Sequence, residues 1–249
     1  MSLQLVTHTT EGYLPRMRPY LDSLGEHWAG EPWLLTVAFD APPEFQAEYP
    51  HVRFVRVPKV AGSPENTDSL QHGAFISFVP GDDSDVLIYT DGDIVMQRGP
   101  SAREIGWLAN LPWDDVACGW NSGPDETLAV EGARLFPRGD IGAVFGEMVA
   151  HTPCYNIGVI AARRATWSQI HAAYMARYDE ALALFGAQQR QQWLVCWAIE
   201  HLGLDVQVMP YSVHMHGCYP LPAGGENRSL YVGGQATYKG EPVLFRHHL

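Results

Sequence analysis

Residues 85–96 read Asp-Val-Leu-Ile-Tyr-Thr-Asp-Gly-Asp-Ile-Val-Met, an apolar run that ends on two acids separated by one glycine. The unbroken Val86-Leu87-Ile88 core is the pattern of a strand buried on both faces. Ligands of open α/β sheets sit beyond the carboxyl ends of such strands, where Asp91 and Asp93 fall. On a near-extended backbone, residues two apart project to one side, and Gly92 between them admits close approach of a ligand or another segment. Two carboxylates held together repel unless they share a proton or a cation. A hard divalent ion with oxygen ligands is the natural partner, and it can bridge to a diphosphate. Five aspartates and no basic residue lie between Gly81 and Asp93, which adds to the demand for a cation. The competing reading is a β-hairpin with Asp91-Gly92 as a type I′ turn. A calcium EF-hand is excluded, because Met96 and Ala102 stand where its glycine and glutamate would be. P-loop, Gly-x-Ser-x-Gly and His-Glu-x-x-His patterns are absent.

On either side of this stretch, strand and helix patterns alternate. Leu3–Thr9 reads as a strand, Tyr13–Trp28 as a helix interrupted early by Pro15 and Pro19, Trp33–Phe39 as an apolar strand and His51–Val57 as a half-buried one. Asn66–Val79 is a predicted helix. Val116–Trp120 and Cys154–Ala162 are short buried strands. Thr166-x-x-Gln169 has the form of a capping box opening a helix that runs to about Phe185, and a second helix covers Gln188–Leu202. Asp205–Met209 and Val243–Arg246 are late strands around a glycine-rich loop, Gly224–Gly234. With no repeat or linker, the pattern predicts one α/β domain over residues 1–249: a mostly parallel mixed sheet flanked by helices.

Composition narrows the function classes. The chain of 249 residues carries 16 basic and 28 acidic side chains, a net charge of −12. An acidic surface argues against nucleic-acid binding, which relies on basic groups to displace counterions. Cys118, Cys154, Cys196 and Cys218 form no Cys-x-x-Cys pair, so a zinc ribbon and a thioredoxin motif are excluded and reduced thiols are expected. No basic-then-apolar leader and no apolar run long enough for a transmembrane segment occur, and a cytoplasmic location is the corresponding expectation.

Further candidates lie outside the acidic motif. The terminal pair His247 and His248 follows a late strand and either completes a metal site or forms a solvated tail. His214 and His216 are expected to be surface residues. Asn156, a polar amide inside an apolar strand, either pins neighbouring backbone or binds a ligand, and Gly158 marks close backbone approach. Trp107, Trp113 and Trp120 either stack on sugar rings or belong to the core.

Taken in order, these residues resemble retaining glycosyltransferases of the GT-A fold, most closely glycosyltransferase family 8, the glycogenin and bacterial galactosyltransferase group. Thr10-Glu11-Gly12-Tyr13-Leu14 followed by Ser23-Leu24 is similar to the family's nucleotide-binding start. Leu87 to Val95 is similar to its DxD strand, Tyr155-Asn156-Ile157-Gly158-Val159 with Trp167 to its Asn-x-Gly-Val strand, and His247 stands where it places a third metal ligand. The chain departs from the family in having Thr10 and Gln191 at positions of Asp. It also lacks an arginine before DxD, where Gln71 or His72 is nearest, and the Gly-x-x-Lys-Pro-Trp run.

The resemblance implies a Rossmann-like GT-A domain and a metal-dependent hexosyltransferase. Its partners would be a nucleotide-sugar donor, a UDP-sugar, and a small-molecule or glycan acceptor, and its metal Mn²⁺ or Mg²⁺. It implies nucleotide contacts from Thr7, Thr9, Tyr13, Asp91, Gly92 and Asp93, with Tyr13 stacking on the uracil. Asp91, Asp93 and His247 or His248 would hold the metal, and Asn156, Gln191 and Gln192 would face the donor sugar. Under inversion a carboxylate base would be needed, from Asp125, Glu126, Glu131 or Asp140. Two other readings remain open at this level: a nucleotidyltransferase acting on a sugar phosphate, and a calcium-dependent carbohydrate-binding protein.

Overall fold

The computed structural model describes residues 3–28, 33–37, 40–57, 79, 81–121, 123, 125–135, 137–186, 190–215, 230–232 and 235–247. The expected helix at Asn66–Val79 lies, but for Val79, outside the described residues, as do His216, Cys218 and His248.

The main sheet has seven strands: β1 (Leu3–Thr9), β2 (Trp33–Val37), β3 (Val52–Arg56), β4 (Val86–Thr90), β6 (Asp115–Trp120), β7 (Tyr155–Arg163) and β8 (Asp205–Val208). Their spatial order is β3-β2-β1-β4-β7-β6-β8. Every pairing is parallel except those of β7, which runs antiparallel to both β4 and β6. The carboxyl ends of β1, β4 and β6 and the amino end of β7 therefore meet at one edge, and the strand order reverses between β1 and β4, the position where such sheets bind ligands.

The antiparallel β7 makes the sheet mixed, as expected. β4 and β7 are buried at every position, as central strands with both faces covered must be. Trp167 and Tyr89 stand among the fully buried side chains, each contributing roughly 1.5–3 kcal/mol from apolar burial. Trp167 satisfies its indole by donating Nε1–H to Leu87 O at 3.1 Å. Helix α1 (Arg18–His27) follows a short 3-10 turn at Leu14–Met17 and packs one face of the sheet through Tyr20, Leu21 and Leu24. The remaining helices are α2 (Pro43–Glu48), α3 (Ala102–Ala109), α4 (Leu128–Arg134), α5 (Ile141–Phe145), α6 (Arg164–Ala176), α7 (Tyr178–Phe185) and α8 (Arg190–His201). Among the described residues, no helix is long and apolar enough to cross a membrane.

Several expectations need correction. The hairpin reading of Asp91-Gly92 fails: β4 and the next strand, β5 (Ile94–Met96), do not pair with each other. β4 stays in the main sheet, while β5 leaves it to pair antiparallel with β13 (Phe245–His247). The segment between them is a turn rather than extended chain, with Ile94 N–H donating to Asp91 O at 3.2 Å. Thr166 is not a cap. Helix α6 starts two residues earlier and the Thr166 hydroxyl donates to Trp113 O. The single helix expected through Phe185 breaks at Arg177, whose guanidinium donates to Val144 O and lies over the rings of Phe145 (4.8 Å) and Trp197 (5.4 Å). The capping box that does form is Ser101/Glu104, at the start of α3.

Two small sheets complete the fold. β9 (His214–Met215) runs parallel to β13, giving the order β5-β13-β9, and β10 (Leu230–Val232), β11 (Gln235–Tyr238) and β12 (Glu241–Pro242) form an antiparallel meander.

Candidate active site

The aspartate turn is built from its neighbours. Asp91 N–H donates to Gly158 O at 2.8 Å, and Gly158 N–H donates to Asn156 Oδ1 at 3.0 Å. The acidic turn and the Asn156 segment are thus joined by a backbone bond, and Asn156, 4% exposed, uses its carbonyl oxygen to pin that backbone. Both outcomes foreseen for Asn156 concern one place, since Asn156 pairs with Gly119 at the same sheet edge.

Tyr89 lies beneath the turn. Its hydroxyl donates to Asp91 Oδ1 at 3.0 Å while its ring packs edge-on against Trp167 at 6.3 Å. Burial, then the charge and hydrogen bond of Asp91, hold the Tyr89 phenol well above its usual pKa, so it remains a donor throughout the ordinary pH range. Sequence reading passed over Tyr89 as one more apolar strand residue.

Tyr13 lies on the other side. A Cβ placed on Gly92 would stand 3.3 Å from both Tyr13 Cε1 and Met17 Cε, a tight contact that glycine avoids. Gly92 has no positive φ, and the turn itself makes no demand for glycine. Burial, then the charges of Asp93 and Asp91, raise the Tyr13 phenol. Both carboxylates are therefore felt on the half-buried Tyr13 ring, and the exposed Arg16 lies 5.9 Å from its centroid.

Thr7 and Thr9 are buried at 3% each. Thr7 Oγ1 donates to Thr90 O at 2.7 Å and Thr9 Oγ1 to Thr10 O at 3.3 Å. These bonds fasten β1 to β4 and shape the turn that delivers Tyr13. Tyr20, also buried, hydrogen-bonds the Thr90 hydroxyl beneath.

At the far side, Gln192 Nε2 reaches Cys154 Sγ at 3.8 Å, so α8 brings Gln192 to the start of β7. Gln191 belongs to α8, and its side chain lies outside the described residues. The backbone of His247 pairs with Ile94, the residue after Asp93, and its side chain lies outside the described residues. The four loop carboxylates separate clearly. Asp140 caps α5 by accepting from Ala143 N–H at 3.1 Å, and Asp125 is exposed. Glu126, buried, accepts from Asn121 Nδ2 at 2.9 Å and pairs with Arg134, which also meets Glu131 at 3.3 Å.

The expectation of a surface position fails for His214. It is 3% exposed, and its Nδ1 would stand 2.7 Å from a Cβ on Gly119, beside the strand irregularity at Cys118/Gly119. Trp120 stacks on Tyr155 at 5.2 Å, whereas Trp113 is 52% exposed beneath the Arg163 guanidinium. The three described cysteines are free and buried.

Two acidic oxygens beside a histidine-bearing strand suit a divalent ion of the Mn²⁺ or Mg²⁺ type, which favours oxygen and imidazole donors. Among the described residues, no group of three or more His, Cys, Asp or Glu side chains forms a complete metal cage.

No protein-family model and no curated protein matches the chain. Solved structures do. The galactosyltransferase LgtC, in complex with donor and acceptor sugar analogs, superposes with a TM-score of 0.60 at 16% identity, covering 98% of this chain and 86% of that one. Mouse xyloside xylosyltransferase 1 does so with 0.55 at 13%, over 99% and 97%. The glycosyltransferase GlyE of Streptococcus pneumoniae gives 0.53 at 13%, over 82% and 44%. The fold is accordingly the GT-A fold of these glycosyltransferases.

Proposed function

We propose that the chain is a glycosyltransferase that takes a hexose from a UDP-sugar and passes it, with retention of configuration, to a hydroxyl of a small molecule or glycan. The observation that carries this reading is the convergence of Tyr13, the Asp91–Asp93 turn and the Asn156 segment at one sheet edge, joined by the Asp91–Gly158 backbone bond. The GT-A fold supports it.

In this reading Tyr13 stacks on the base, and Asp91 and Asp93, with His247 or His248, hold Mn²⁺ or Mg²⁺. When bound, the metal supplies Lewis-acid neutralisation of the charge that grows on the departing diphosphate. Tyr89 fixes Asp91 for that task by its hydrogen bond. Asn156, Gln191 and Gln192 orient the donor sugar from the amino end of β7 and the first turn of α8. Retention needs no separate base, since a leaving phosphate oxygen can accept the acceptor's proton. Asp140, Glu126 and Glu131 are engaged in a cap and an ion-pair cluster, which leaves the exposed Asp125 as the carboxylate an inverting route would draw on.

The test is titration calorimetry with UDP, with and without MnCl₂. Wild type should bind UDP far more tightly with Mn²⁺. Asp93→Asn should lose that dependence while its thermal melt stays within a few degrees, because the half-exposed Asp93 carries little of the core. Normal Mn²⁺-dependent binding by this variant would remove the assignment. Calcium-dependent sugar binding indifferent to UDP would favour a binding protein instead.

A further inference from the structure

The strand that carries His247 belongs to a small sheet far along the chain from the aspartate turn, and two consecutive side chains after β5 tie it down. Gln97 acts as an extra peptide unit. Its backbone N–H donates to Leu244 O at 3.0 Å, continuing the β5–β13 ladder. Its side-chain amide donates to Ala236 O at 2.8 Å and Val243 O at 3.2 Å, and accepts from Ala236 N–H at 2.8 Å. One glutamine thus joins β11 and the approach to β13. Arg98 does the same for two other segments. Its Nε–H donates to Pro242 O at 2.9 Å and Nη2–H to Ser212 O at 3.0 Å, just ahead of β9.

The guanidinium is itself held by a two-point pair with Glu104, at 2.8 and 2.6 Å. Glu104 is anchored in turn by the Ser101 capping box. Side-chain exposures of 27% for Arg98 and 13% for Glu104 place the pair in partial shelter, where charge-assisted two-point bonds are strong. Ser212 O also accepts from Leu244 N–H at 2.9 Å, so the arginine grips the carbonyl that starts the β9–β13 contact.

We propose that Gln97 and Arg98 are positioning residues for the donor site, holding the backbone of β13 at His247 in register with Ile94, next to the aspartate turn. This inference rests on the function proposed above, and two readouts separate their failures. The first is backbone amide exchange at residues 245–247. The second is UDP affinity with and without MnCl₂.

Gln97→Ala and Arg98→Ala should each speed exchange at 245–247 by tenfold or more. They should weaken Mn²⁺-dependent UDP binding by tenfold or more, with less than a twofold change in affinity for UDP alone. Arg98→Lys, which keeps one charged contact to Glu104, should recover part of both effects. A merely structural role would lower the melting temperature and leave the metal dependence intact. Should wild type show no Mn²⁺-dependent UDP binding, the functional reading falls, and unchanged exchange would then overturn the clasp as well. Accelerated exchange with wild-type UDP·Mn²⁺ affinity would overturn the positioning role.

Discussion

The phenol of Tyr89 donates to the Oδ1 of Asp91 at 3.0 Å from a fully buried position under the turn. A carboxylate at the end of a strand can swing, and this bond fixes one oxygen of Asp91. Tyr89→Phe keeps the ring and its contact with Trp167 and removes only the donor. We expect about a tenfold loss of Mn²⁺-dependent UDP affinity, the usual scale for an outer-sphere partner of a metal ligand. Stability should change by about 1 kcal/mol. Calorimetry and chemical denaturation measure the two, and an unchanged affinity would show that Asp91 is oriented without help.

Tyr13 and Gly92 can be separated by substitution. Tyr13→Ala should weaken UDP binding by about 1–3 kcal/mol, the value of one base–aromatic stack. Gly92→Ala leaves Tyr13 in place but pushes a methyl to 3.3 Å from it and from Met17. Met17 can yield at its flexible end, so the melt should move little, while the displaced tyrosine reduces UDP affinity. A Gly92→Ala protein with wild-type affinity would mean that the ring position is not set by this contact.

The ion-pair cluster at the far end predicts a pH effect. Burial and the nearby Glu126 charge raise the Glu131 carboxyl above its usual value, and they outweigh the Arg134 contact. The folded state then binds a proton that the unfolded state has released. Stability from this group is complete below the unfolded value near 4.5 and is lost as pH rises through the folded one. Glu131→Gln should therefore be more stable than wild type at neutral pH and lose that advantage below about pH 4. Urea denaturation across pH 4–7 checks the sign, and a variant less stable at pH 7 would show that the Arg134 pair dominates.

Gly119→Ala should be costly. The new methyl would meet the buried His214 imidazole at 2.7 Å, inside any real contact, and a packed site of this kind loses roughly 1–3 kcal/mol to overpacking. If the melt is unchanged, the imidazole has room to turn away. Combining Gly119→Ala with His214→Ala should restore part of the loss.

Local pattern carried most of the sheet. The apolar runs of β4 and β7 are long enough to be read directly, and β1 was legible to the residue. What the sequence concealed depends on partners distant in the chain. Asp-Gly between apolar runs is as good a hairpin as a ligand turn until β5 is seen to pair with β13. Thr166 satisfies the capping pattern, yet its hydroxyl goes to Trp113 and the helix begins earlier. Arg177 stops a helix because of two rings and a carbonyl contributed by α5 and α8. His214 sits in a polar-looking stretch, and only the notch left by Gly119 explains its burial. Nothing local in the sequence around Gln97 and Arg98 announces a clasp, since their partners lie more than a hundred residues away.

The departure of β5 from the main sheet also governs order of assembly. During synthesis the strands around β4 can pair as soon as β7 has emerged, whereas β5 has to wait until residues 245–247 leave the ribosome. Such a long-range closure is intrinsically slow. A nascent chain already folded through its seven-stranded layer would still lack the strand that pairs with β5, so the segment that follows the aspartate turn is the last part of this region to be fixed.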